Sequence, residues 1–190
     1  MKKIITILLV CLSMWSYGQI RDDVRRSENG KYIEYYEAAF MPGGGYNFFF
    51  PTASDSLGTF RGFSPEFIIF NSINQNQNRG PSHVRISASI SILQSDKEDI
   101  KNMLKYGVAL NLSIERNPRR NFLIPYFGLE FGGLTLNRFN TIQFTPVGGL
   151  FLFYNHHFVV SASGGYVYPL NGFETLSGAF ANATINFTLW

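Results

Sequence analysis

The sequence predicts an all-β fold, a closed antiparallel eight-stranded transmembrane β-barrel. Three observations predict it. The first is alternation. In MLKYGVALNLSIER (103–116), Leu104, Tyr106, Val108, Leu110, Leu112 and Ile114 share one face, while Lys105, Gly107, Ala109, Asn111, Ser113 and Glu115 share the other. That is the period of a strand with one apolar face. The second is recurrence: eight such segments follow one another, and no segment of comparable length carries a helical period. The third is the scarcity of charge. Charged residues make up 15% of the chain, against ~25% in an average soluble domain. From Asn121 to Trp190 only Glu130, Arg138 and Glu174 are formally charged.

Residues 1–18 read as a secretory signal peptide. Lys2 and Lys3 form a basic start, Ile4 to Leu12 an apolar stretch, and Ser16-Tyr17-Gly18 a small-x-small cleavage site. The apolar stretch is shorter than the ~20 residues of a spanning helix. Cleavage removes 18 of 190 residues and leaves 172. The single cysteine, Cys11, leaves with the signal, which excludes disulfides, thiol nucleophiles and cysteine metal sites from the mature chain. Lys2 and Lys3 leave as well, so the formal charge falls from +3 to +1. No basic block remains to suggest nucleic-acid binding. Residues 19–31, with the polar, charge-mixed stretch IRDDVRRSENGK, read as a flexible lead before the barrel.

The eight strands are expected at about 33–49, 59–71, 82–94, 103–116, 121–136, 139–155, 158–170 and 175–190. The first holds Met41-Pro42-Gly43-Gly44-Gly45, which suits a kink or bulge. In the second, Phe63, Pro65, Phe67 and Ile69 oppose Ser64 and Glu66. In the third, Val84, Ile86, Ala88, Ile90 and Ile92 oppose His83, Arg85, Ser87, Ser89 and Ser91. In the sixth, Ile142, Phe144, Pro146, Leu150, Leu152 and Tyr154 oppose Thr141, Gln143, Thr145, Val147 and Gly149. In the last, Ala181, Ala183, Ile185, Phe187 and Leu189 oppose Asn182, Thr184, Asn186 and Thr188. The connections SINQNQNRGPS, QSDKEDIKN, NPRRN, NHH and LNGFET have turn compositions.

A soluble barrel of the lipocalin kind faces its apolar side inward around a ligand and needs a charged exterior. Here the second face is mostly Ser, Asn, Gly, Ala and Thr, a poor solvated surface but a workable tight interior. Strands of this length exceed the ~9–11 residues that cross a bilayer at a tilt, and closure leaves no unpaired edge for lipid to meet. The interior charges are then Glu66, Arg85, Lys105, Glu115 and Glu130. Because buried charges need partners, they are expected to form one lumenal network. Tyr126, Tyr154, Phe158, Tyr166, Tyr168 and Trp190 lie toward segment ends, where interfacial aromatic girdles are placed.

This pattern resembles the small outer-membrane β-barrel superfamily of Gram-negative bacteria, the eight-stranded group that includes outer membrane protein A-like barrels. The resemblance spans most of the mature chain. It rests on the alternation, on the glycine-rich PYFGLEFGG (125–133) and on the ending INFTLW with its terminal Trp190, although Ile185, Phe187 and Leu189 run one residue out of phase with that tryptophan. The resemblance implies residence in the outer membrane after secretion, with both termini periplasmic. It also implies outer-membrane lipid around the wall and barrel-assembly machinery as a partner during biogenesis.

An eight-stranded barrel is just wide enough for its own side chains, which disfavours a general porin. The expected function is a non-porin structural or accessory role in a cell-envelope assembly, as a subunit of larger secretion or transport machinery. One alternative is a lipid acyl hydrolase or transferase, which needs a nucleophilic serine, a histidine base and an orienting group. The histidines are His83, His156 and His157, all at ends assigned to the periplasm; His157 with Ser161 is the pairing the spacing allows. The other alternative is a lipocalin-like binder of apolar ligands. No enzyme activity, metal or cofactor is expected.

Overall fold

The structure, a computed structural model, describes residues 41–71, 83–100, 102–113, 115, 120–154 and 157–187, and the backbone course of 21–26, 32–38 and 72–74. The expected signal peptide and Trp190 lie outside the described residues. Among the described residues ten strands follow in chain order: β1 (Arg21–Arg26), β2 (Tyr32–Ala38), β3 (Met41–Pro51), β4 (Phe60–Asn74), β5 (His83–Ser95), β6 (Met103–Ser113), β7 (Phe122–Leu136), β8 (Phe139–Tyr154), β9 (Phe158–Pro169) and β10 (Gly178–Phe187). Two helical turns, α1 (Ser54–Leu57) and α2 (Phe173–Leu176), sit in the β3–β4 and β9–β10 connections.

β3 to β10 pair antiparallel with their chain neighbours, and β10 pairs back onto β3, closing an eight-stranded barrel. Closure satisfies the backbone groups that an open sheet would leave bare. The faces separate as the alternation requires. Leu110 is 43% exposed on the outside, and the next residue, Asn111, is 2% exposed on the inside. The same holds around the wall: Phe63, Phe67, Ile90, Ile92, Val108, Leu129, Phe131, Ile142 and Ile185 face outward, while Ser64, Ser87, Ser91, Thr145, Ser161, Thr184 and Asn186 are buried. The apolar side chains of this barrel are thus mainly on its surface.

The β7–β8 connection is a two-residue turn, Asn137-Arg138, and Asn137 takes the left-handed conformation (φ 57°) that such hairpins need and that Asn tolerates. At this end of the barrel, the loop end, Phe49, Phe60, Leu93, Met103, Leu136 and Val167 make a buried apolar layer. The opposite end carries the ends of β4, β6, β8 and β10. There Met41, Ile68, Ile124, Phe151, Tyr154 and Val159 make a second layer. Most of the buried polar side chains lie between them.

One feature departs from the expected fold. The lead, 19–31, contains a strand: β1 pairs with β2, from Arg21↔Glu37 to Arg26↔Tyr32. The reason is visible in the intervening sequence SENGK, whose Asn-Gly pair is a strong hairpin signal. The expected first strand, 33–49, keeps one register against β4 through its described parts, β2 and β3, with Ala38↔Asn71 and Met41↔Ile68. β1 therefore takes on β2 the edge that β10 takes on β3, and the sheet extends past the barrel at the end where the chain enters.

Candidate functional site

Among the described residues, charge held out of solvent is concentrated in the polar lumen, which makes it the candidate site. Its middle layer holds two ion pairs. β6 and β7 bring Lys105 and Glu130 together, with Nζ 2.5 Å from Oε1. Gln143 on β8 donates from Nε2 to the same carboxylate oxygen at 2.9 Å, and the Lys105 ammonium lies 5.1 Å from the centre of the Phe180 ring. The second pair is looser: Arg85 Nη2 on β5 stands 3.7 Å from Glu66 Oε1 on β4. Arg85 also donates from Nη1 to Ser161 Oγ at 3.4 Å, and its guanidinium lies between 5 and 6 Å from the ring centres of Tyr126 and Phe151. Glu66 Oε2 and Arg85 Nε find no protein partner.

Neutral hydroxyls and amides complete the layer. Asn47 donates to Ser91 at 2.8 Å, Ser91 and Ser64 are 2.8 Å apart, and Ser161 and Thr184 are 2.7 Å apart. Asn71, Gln143, Thr145 and Asn186 have no solvent exposure at all. A channel wide enough for water at those levels would expose them, so the interior there is filled.

The expected charge network resolves into separate parts. Glu66, Arg85, Lys105 and Glu130 are buried and paired as described. Glu115 lies beyond the end of β6 and pairs with Arg120 at 2.8 Å. The cause is the β6–β7 connection: Arg120 also donates to the backbone oxygens of Phe122 (3.0 Å) and Leu123 (2.6 Å), fixing a turn in which Leu123 has φ 49°. Those bonds place a guanidinium beside Glu115 at the rim.

The expected aromatic girdle divides too. Tyr168 is exposed on the outer wall, its ring 4.8 Å from that of Tyr166. Tyr166 is hydrogen-bonded to Thr52 and Ser177 at the loop end. Phe158 is half-buried and stacks on Phe153 at 4.8 Å. Tyr126 and Tyr154 instead face the lumen. Tyr126 has the same strand parity as Glu130 and stacks on Phe151 at 4.3 Å. Tyr154 is turned by a bulge: Phe151 opposes Ser161 and Phe153 opposes Val160, so one extra residue reverses the phase.

A matching bulge in β4, where Ile68 opposes Ser87 and Phe70 opposes Ile86, turns Asn71 inward. The two reversed residues meet, with Tyr154 donating its hydroxyl proton to Asn71 Oδ1. His83 packs edge-on against the Tyr154 ring at 4.5 Å. Sequence periodicity missed this cluster because it assumes an unbroken period.

For acyl-transfer chemistry, His157 is exposed at the β8–β9 connection, whereas Ser161 is buried in the lumen and engaged with Thr184. Among the described residues, no three His, Cys, Asp or Glu side chains gather into a metal-binding group. Compared with known protein families, curated proteins and solved structures, the chain matches none.

Proposed function

We propose that this protein is a non-porin transmembrane barrel of a bacterial outer membrane, serving a structural or accessory role in a larger envelope assembly. One observation carries the reading: the barrel is apolar outside and polar inside. Outward Leu, Ile, Val and Phe side chains on the wall from β4 to β8 would be a severe aggregation hazard in water and suit a hydrocarbon surround. The same inversion counts against a lipocalin-like binder, whose apolar face must line the cavity. The filled interior favours a scaffold over a conduit. The lumenal ion pairs then rigidify the barrel, and any partner meets the loops, the β1–β2 hairpin or the wall.

The test is reconstitution followed by recovery of partners. Folded protein should float with phospholipid vesicles and migrate differently on a gel before and after boiling. Val108 lies halfway along β6 and is exposed, so Val108→Arg should destabilise the vesicle-inserted barrel by about 2–4 kcal/mol, read by urea unfolding. Protein that stays in the soluble fraction, or an unaffected Val108→Arg, would overturn the membrane reading. For the assembly role, an affinity tag is inserted between Glu98 and Asp99, both exposed. A stoichiometric partner retained from gently solubilised membranes is the expected result.

A further inference from the structure

At the loop end an open cleft of about 310 Å³ lies between three connections. α1 contributes Leu57, the β7–β8 turn contributes Leu136, Asn137 and Phe139, and the β9–β10 loop contributes Gly172, Thr175 and Leu176. Its volume is at the small end of the range for ligand sites, and such sites are mostly apolar with a few polar groups. Leu136 and Leu176 belong to the buried apolar layer, so the cleft's floor is the plug of the barrel itself. Gly172 is left-handed (φ 72°), and a Cβ there would press on the Phe139 ring at 3.1 Å; the backbone geometry thus brings α2 close to the β7–β8 turn.

We infer that this cleft receives the head-proximal part of a straight acyl chain whose head group is anionic. The inference rests on the membrane reading above, and two observations give it direction. The cleft is continuous with the exposed apolar wall. Phe139 both lines it and is exposed, and Leu170 and Phe173, which flank the Asn171-Gly172 bend, are 69% and 51% exposed. The Phe173 ring stacks on Tyr168 at 6.1 Å, and Tyr168 in turn lies 6.4 Å from Phe144 on the wall. An acyl chain lying against that wall therefore has an apolar path to the mouth. The second observation is charge. Arg138, the only lysine or arginine after position 120, adjoins Asn137 in the turn that forms one side of the cleft. Glu174 on α2 is the acidic counterpart, which orients an anionic head toward the β7–β8 side.

The experiment uses the full folded chain in detergent, loaded with dimyristoyl phosphatidylglycerol in one arm and sodium myristate in the other, and reads bound mass by native mass spectrometry. Retention of one chain in either arm is the expected result, and the arm identifies whether the source is a membrane lipid or a free fatty acid. Thr175→Trp fills the cleft from an exposed position and should reduce retention at least tenfold, whereas Thr175→Ser should not. Arg138→Glu should weaken retention of the anionic lipid by about fivefold. Equal retention by wild type and Thr175→Trp, or none in both arms, overturns the inference. Vesicle flotation of the same preparations separates the two readings. Floating protein without retained chains removes the acyl site alone, and protein that does not float removes the membrane reading together with it.

Discussion

The two lumenal ion pairs use the same kinds of charge and differ in how completely their surroundings close on them. Lys105–Glu130 is compact, at 2.5 Å, with a third group, Gln143, on the same carboxylate. Glu66–Arg85 is open, at 3.7 Å, with one carboxylate oxygen and the guanidinium Nε unpartnered. Arg85 is held instead by two aromatic rings and a serine. The difference teaches where each charge draws its stability. In the first pair each partner depends on the other, because a buried ammonium has little else to neutralise it. In the second the cation has alternative support, since guanidinium is weakly hydrated and stacks on rings.

The largest effect should therefore come from breaking the compact pair. Glu130→Gln leaves Lys105 charged and buried, and such losses typically cost about 3–5 kcal/mol. Urea unfolding of the detergent-folded barrel would read it. The double replacement Lys105→Met with Glu130→Leu should recover most of that loss, since exchange of a buried pair for well-packed apolar groups is often neutral. A double variant as unstable as the single one would show that the charges contribute more than their mutual attraction.

At the open pair, Glu66→Gln should cost about 1–2 kcal/mol, because Arg85 keeps its rings and Ser161. Arg85→Ala should cost more than Glu66→Gln, since it strands a buried carboxylate and empties the space between β5 and the Tyr126–Phe151 stack. If Glu66→Gln proves as damaging as Glu130→Gln, the aromatic support of Arg85 is worth little and the contrast between the pairs collapses.

Much of this is legible in the sequence because most of a barrel wall repeats one period. The alternation places Leu110 outside and Asn111 inside, and it assigns Glu66, Arg85, Lys105 and Glu130 to the inner face, where all four are buried. It could not pair them, since partners are set by strand stagger and side-chain reach. Tyr126 was readable by parity with Glu130; position near a strand end was the poorer guide. The pairing of Glu115 with Arg120 was not legible, because periodicity says nothing of a cation supplied by the β6–β7 connection. β1 was signalled by Asn29-Gly30 and obscured by the charge around it. The loop-end cleft had no sequence signal, because its walls come from three connections that only closure of the barrel brings together.

The least visible feature is the pair of bulges, and it supports the smallest prediction. Each bulge sits near the end of the barrel where β4 and β8 finish, and each reverses one polar residue into the lumen. Bulges commonly re-aim a side chain at the cost of ladder pairing. Here the return is the bond from Tyr154 to Asn71, whose amide nitrogen also lies 3.6 Å from the Met41 sulfur. Tyr154→Phe keeps the ring against His83 and Phe151 and removes only the donor, so it should cost about 1–2 kcal/mol through the stranded Asn71 oxygen. Asn71→Ala should cost a similar amount. The decisive measurement is the double-mutant cycle. A coupling of about 1 kcal/mol means the two irregular strands are tied to each other through this bond. Additive losses would mean that each bulge is held by its own strand neighbours, and that the meeting of Tyr154 and Asn71 is a consequence of barrel closure and no part of its cause.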